Sequence, residues 1–112
     1  MFILVSSFFI RYFTPKQVSG ITIFPFIIVE NRELKADPTF IRHEKIHLRQ
    51  QAELLLIFFF LLYYLEFLVR LFQYRNTDKA YRNISFEKEA YENESNNDYL
   101  KTRKCFSFIK YW

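Results

Sequence analysis

The chain has one glycine, one cysteine, three prolines and two histidines in 112 residues. A lone Cys105 cannot close an intramolecular disulfide, and without a second cysteine no thiolate cluster can hold a metal; it is expected to be a small buried side chain. No repeat or low-complexity linker divides the chain. Residues 1–11 contain an apolar run, with no basic residue ahead of it and no small-x-small pattern after it, so a secretory signal is not expected there. Sixteen Lys and Arg against twelve Asp and Glu give a net charge of +4. That excess suits an anionic membrane surface better than nucleic acid, for which no binding motif is present.

What the chain has in abundance is apolar surface: 51% hydrophobic residues and 21% aromatic, including 15 Phe and 8 Tyr. Disorder is thereby excluded for most of its length, since so much apolar surface must be covered by protein or by lipid. The length suits one domain with one core.

Two β-rich runs open the chain, Phe2 to Phe13 and Ile21 to Val29, separated by turn chemistry at residues 14–20 around Gly20. An antiparallel hairpin is the simple expectation. Pro25 cannot donate to a ladder, so the second strand should be an edge or carry a bulge. Residues 30–33 read as a polar turn. Asp37 and Pro38 then make a helix start, Asp as N-cap and Pro at the first helical position, and no Gly or Pro interrupts the chain afterwards, so one helix is predicted up to Asn76. A further helix is predicted from Ser85 as its N-cap towards Lys104, with an interruption at residues 95–98 allowed. The expected fold class is therefore α+β: an N-terminal hairpin region (1–35), a long helix that is either straight or bent (38–75), and a C-terminal helical segment with a basic aromatic tail (85–112), all in a single domain.

His43-Glu44-Lys45-Ile46-His47 falls on the predicted long helix. Residues four apart share a helical face, so the two imidazoles can meet one ion while Glu44 sits beside it without binding. In zinc hydrolases this arrangement lets two histidines hold the metal and the glutamate take a proton from water acidified by it. The short pattern arises by chance on polar helices, and its plain alternative is two surface histidines among Arg42, Lys45 and Arg49. Two features raise it above chance: the helix start is independent of the motif, and both histidines of the chain belong to it.

A catalytic site of this type needs a third protein ligand. No histidine remains, and the acidic run Phe86-Glu87-Lys88-Glu89-Ala90-Tyr91-Glu92-Asn93-Glu94 is the best source of a carboxylate; as a bare run it also reads as a solvated face. Here the chain resembles the gluzincin metallopeptidases, whose HExxH helix is followed by a second helix bearing a ligand Glu, often as Glu-x-Glu-Ala. The resemblance covers His43 to His47 and Glu87 to Ala90. It departs at Tyr91, where several members carry an Asp. It implies a minimal zincin-like domain with His43, His47 and Glu87 as zinc ligands and Glu44 as general base, acting on peptide or protein substrates held by backbone pairing along an edge strand near Ile21 to Val29. Glu89 is the rival ligand, with Asn93 four residues on as its support; it stands about 200° from Glu87 around a helix, so only one of the two can face the metal. Tyr81, Arg82 and Tyr91 are candidates to stabilise an oxyanion, with nothing in the sequence choosing among them.

Leu54 to Leu65 is apolar on every face, and with Glu66 and Arg70, an i, i+4 pair, the stretch continues to Phe72. A simple crossing of a bilayer would strand Glu87 on the far side from the histidines. The expectation is therefore an apolar helix, or a hairpin bent near Leu61 to Tyr63, that stays on one side and associates with a membrane surface; a cytoplasmic location is the alternative. A site completed by a second chain is a further option, and the sequence specifies no oligomeric state. The competing functional reading is a non-enzymatic membrane-associated protein, or a non-catalytic metal-binding relic of a peptidase, with the motif coincidental or structural.

Overall fold

The computed structural model describes residues 2–14 and 18–112. The expected α+β architecture is what it shows: a small N-terminal sheet, one long bent helix and a C-terminal set of short helices. Residues 15–17 of the predicted turn lie outside the described residues.

The first apolar run does not remain extended. Strand β1, Phe2–Val5, gives way to helix α1, Ser7–Phe13, because Ser6 takes the N-cap position and its hydroxyl accepts from the Phe9 amide at 3.1 Å. The helical spacing then pairs Phe8 with Tyr12 and Phe9 with Phe13, ring centroids 4.7 and 5.0 Å apart, the side-chain packing that i, i+4 neighbours make.

The hairpin lies inside the second run. Strand β2, Gly20–Ile23, turns through a cis Phe24-Pro25 bond into β3, Phe26–Val29, with Ile23 opposite Phe26 and Gly20 opposite Val29. Pro25 is thus a turn residue and not a bulge. β1 adds to β3 in parallel, Phe2 opposite Phe26, so the order is β1-β3-β2 and β2 is an edge. A Cβ at Gly20 would come within 2.8 Å of the tip of the Phe40 ring, which would have to shift to admit any other residue.

After the short helix α2, Arg32–Lys35, comes α3, Pro38–Tyr74. Its start is the one predicted: Asp37 Oδ1 accepts from the Thr39 and Phe40 amides at 3.0 and 3.2 Å. The bend is not at residues 61–63. It falls at Leu55, whose φ of 59° and ψ of 152° break the helix into two limbs, 38–54 and 56–74. Across an unbroken helix His47 and Phe59 would stand about 18 Å apart along the axis; their ring centroids are 6.3 Å apart. The second limb has folded back over the first.

Helices α4 (Thr77–Arg82), α5 (Ser85–Asn93) and α6 (Tyr99–Thr102) and a 3-10 helix, Ser107–Tyr111, follow. The predicted interruption at residues 95–98 is there. Ser85 is not the N-cap of α5 but its first residue: Glu66, reaching from the second limb, accepts from both the Ser85 amide and its hydroxyl at 2.6 Å. A carboxylate at a helix N-terminus satisfies donors that the helix itself leaves free. Cys105, expected inside, is exposed.

Two apolar clusters flank the interior. Ile27, Val29, Ile41 and Leu48 join the sheet to the first limb, and Phe59, Ile84, Phe86 and Phe108 join the second limb to α5 and the tail. Burying each such side chain contributes about 1.5–3 kcal/mol. Between the two clusters runs a seam of buried polar side chains.

Candidate metal centre

The seam begins on the first limb, where His43, Glu44, His47, Gln50 and Gln51 all face inward and are buried. Positions 43, 47 and 50 form one helical ridge, and 44 and 51 lie beside it. From the other side α5 presents Glu87, held in register by the buried Phe86 and Ala90 and by the Glu66 bonds at its first residue.

Nε2 of His43 and Nε2 of His47 each lie 3.2 Å from the same oxygen, Oε1 of Glu87. One ligand atom from each of these three residues falls within 4.8 Å of the other two, a buried group that could hold a metal ion. Glu89 is turned away, as the 200° separation requires. It joins Arg103 and accepts from Tyr99 at 2.6 Å, while Arg103 forms a two-pronged bond to Glu53 at 2.8 and 3.1 Å. Asn93 donates to the Glu89 main-chain oxygen and to the Tyr111 hydroxyl, well apart from the histidines.

The remaining atoms of the three residues are also held. His43 Nδ1 lies 3.3 Å from Glu94, His47 Nδ1 lies 2.7 Å from Gln50 Oε1, and Glu87 Oε2 accepts from the Tyr63 hydroxyl at 2.6 Å. With each Nδ1 turned to an oxygen, both Nε2 atoms point at the shared carboxylate. Metal-ligating histidines are commonly fixed in this way.

Charge in the site follows from this packing. Burial alone would lower the His47 pKa, but the Glu87 carboxylate beside it, with smaller contributions from Glu44 and Gln50, lifts it to about 9. Burial would raise the Glu87 carboxyl, and the two histidines overcome that and hold it well below the usual carboxylate range. Tyr63 is raised by burial and by Glu87, so it stays a neutral donor. The site thus strongly favours positive charge between the imidazoles and the carboxylate.

Glu44 faces β2. Its Oε2 accepts from the Thr22 hydroxyl at 2.6 Å, and the neighbouring Gln51 ties limb to strand, donating to Thr22 O and accepting from Phe24 N, each at 2.7 Å. Of the three oxyanion candidates, Tyr91 packs its ring 4.5 Å from that of His43, the Arg82 guanidinium lies 5.0 Å from the centre of the same ring, and the Tyr91 hydroxyl is 3.5 Å from that of Tyr81.

His43, Glu44, His47 and Glu87 all open onto one cavity of about 880 Å³, walled by the β2 edge at residues 20–22, by Phe59 and Tyr63 of the second limb, and by Tyr81, Arg82 and Tyr91. That is within the range of small-molecule and peptide clefts, about 300–1,000 Å³. The second limb belongs to the one helix among the described residues that is long and apolar enough to cross a membrane by length and composition.

Gln50, Thr22, Tyr63 and Glu94 were not singled out by the sequence. For Tyr63 a signal existed: a hydroxyl in an apolar stretch needs a partner when buried. Comparison with family models, with curated proteins and with solved structures finds no match for this chain.

Proposed function

We propose that this chain is a zinc-dependent peptidase in which His43, His47 and Glu87 hold the metal and Glu44 is the general base. One observation carries the reading. Two ligand atoms each 2.0–2.1 Å from a tetrahedral ion stand about 3.3 Å apart, and Glu87 Oε1 is 3.2 Å from both imidazole nitrogens. Two imidazoles with one carboxylate suit zinc better than calcium or magnesium, which prefer all-oxygen sites.

Zinc held there would supply Lewis acidity, making water easy to deprotonate near neutral pH and polarising a peptide carbonyl. Glu44 lines the same cavity and takes the proton; Thr22 fixes which carboxylate oxygen is free to do so. The Gly20 end of the β2 edge receives the substrate backbone, the Thr22 carbonyl being already taken by Gln51. Arg82 and the Tyr81–Tyr91 pair line the same cavity and are the donors available to the charge that would develop on an attacked carbonyl.

The test is metal content and turnover together. Protein purified without chelators is expected to carry about one zinc per chain, and Glu44→Gln should keep that zinc while losing hydrolysis of an unstructured protein substrate. Metal-free protein that takes up no zinc, or a Glu44→Gln variant with full activity, would end the proposal. The burial of all three ligands also suits a metal that only ties limb to α5; zinc without turnover in the wild type would favour that reading.

A further inference from the structure

The second limb is amphipathic in the reverse sense. From Ile57 to Phe72 its polar side chains other than Tyr64 turn inward: the Tyr63 hydroxyl to Glu87, the Glu66 carboxylate to Ser85, and Arg70 to Glu66 at 3.6 Å and over the Trp112 ring at 5.0 Å. Outward, the exposed residues from Ile57 to Phe72 carry no charge and, apart from the Tyr64 hydroxyl, no polar atom. Ile57, Leu61, Leu65, Leu68 and Phe72 mark the middle of an arc of about 200° around the helix. A packed helix of a soluble protein, or of a second copy, covers a stripe of about 100°. An arc twice that width, with no polar rim, fits a continuous apolar medium.

Orientation follows from what lies beside the limb. α4 packs against α3, and it carries Asp78 and Arg82 with side chains 81% and 60% exposed. A limb standing across a bilayer would drag those charges into hydrocarbon; a limb lying along the surface leaves them in water. Arg75, which ends the second limb, and Lys79 of the adjoining α4 are exposed and supply the complement to anionic headgroups.

The cavity opens onto this same surface. Phe60 from the second limb and Phe13 from α1 both line it, and they are 40% and 68% exposed. The rim of the cavity is thus continuous with the apolar face of the limb and with the exposed Phe8 and Tyr12 of α1. We infer that the second limb lies in the surface of a phospholipid bilayer and that the site takes polypeptide segments with apolar side chains lying on that surface. The substrate half of this inference rests on the peptidase reading; the bilayer half does not.

The experiment uses full-length zinc-loaded protein, diluted from mild detergent onto vesicles of phosphatidylcholine with phosphatidylglycerol, and a Leu61→Glu, Leu68→Glu variant. Two reporter peptides share one cleavable sequence, one with an apolar membrane-bound segment and one without. The wild type is expected to float with the vesicles and to cleave the anchored peptide at least about tenfold faster than the free one. The variant, altered only at exposed positions, should keep its zinc and its rate on the free peptide, while vesicle binding and cleavage of the anchored peptide fall about tenfold or more. Wild-type protein that stays off the vesicles as a soluble dimer overturns the inference, as does a variant that cleaves the anchored peptide at the wild-type rate. Protein that floats but cleaves neither peptide removes the substrate assignment with the peptidase reading, and leaves the bilayer assignment supported by flotation.

Discussion

The side-chain oxygen of Gln50 lies 2.7 Å from Nδ1 of His47, and the amide cannot be turned round, because its nitrogen already donates to Phe86 O at 3.1 Å and to Glu89 Oε1 at 2.9 Å. His47 must therefore donate from Nδ1 and keep Nε2 for the shared site. Gln50→Leu, which removes the acceptor and keeps the bulk, is expected to weaken zinc affinity by about 10–100-fold. Competition with a chromophoric chelator measures this, with thermal unfolding of the metal-free variant as a control for folding. Unchanged affinity would mean that Gln50 serves only its bonds to Phe86 and Glu89 and does not orient His47.

Thr22 makes a comparable contact to the base. Its hydroxyl donates to Glu44 Oε2 at 2.6 Å from the edge strand. Thr22→Val has the same shape and no donor, so the carboxylate loses its orientation while the metal ligands are untouched. Peptide hydrolysis should fall by about tenfold, a part of what a general base contributes, with zinc content unchanged, and Thr22→Ser should restore it. A Val variant that turns over normally would remove Thr22 from the mechanism.

These two residues also show where the sequence stops being legible. His43, Glu44 and His47 were readable because one turn of helix fixes their geometry locally, and Asp37 with Pro38 announced that helix. Glu87 needed a resemblance, since nothing local says which carboxylate of the run at residues 87–94 turns inward; Phe86 and Ala90, buried in the core, set that phase. Thr22 lies 22 positions from Glu44 in sequence, and Gln50 lies 39 from Glu89, so their roles depend on the tertiary fold alone. The first strand was misread past Val5 because Phe8 and Phe9 suit either state, and the Ser6 cap decided it. The fold-back at Leu55 had no Gly or Pro to mark it.

The acidic residue that is not at the site has a structural task with a pH signature. Glu89 is fully buried, and although burial would raise its carboxyl, bonds from Arg103, Tyr99 and Gln50 to the ionised form hold it below the usual carboxylate range. A carboxyl lowered in the folded state stabilises the fold above its ordinary pKa of 4.5, and that contribution is lost as pH falls from there towards the folded value. Glu89→Gln leaves Arg103, itself 1% exposed, with one carboxylate in place of two. The expected loss at pH 7 is about 3 kcal/mol, read by urea denaturation of metal-free protein, together with a shallower decline of stability as pH falls below about 4.5. Wild-type acid sensitivity in the variant would place that decline elsewhere.

Leu55 gives the sharpest test of the bend on which the whole site depends. Its φ of 59° with ψ of 152° lies in a region that costs a side-chain-bearing residue about 1–3 kcal/mol and that glycine enters freely. The side chain is exposed, so truncating it removes little burial. Inside a continuous helix Ala is better than Gly by about 1 kcal/mol. At Leu55 the order should invert, with Leu55→Gly at least as stable as Leu55→Ala by about 1 kcal/mol in chemical denaturation, because Ala keeps the strain and Gly relieves it. The usual order, Ala above Gly, would mean that residues 54–56 run as straight helix. His47 and Phe59 could not then meet, and Tyr63 could not reach Glu87.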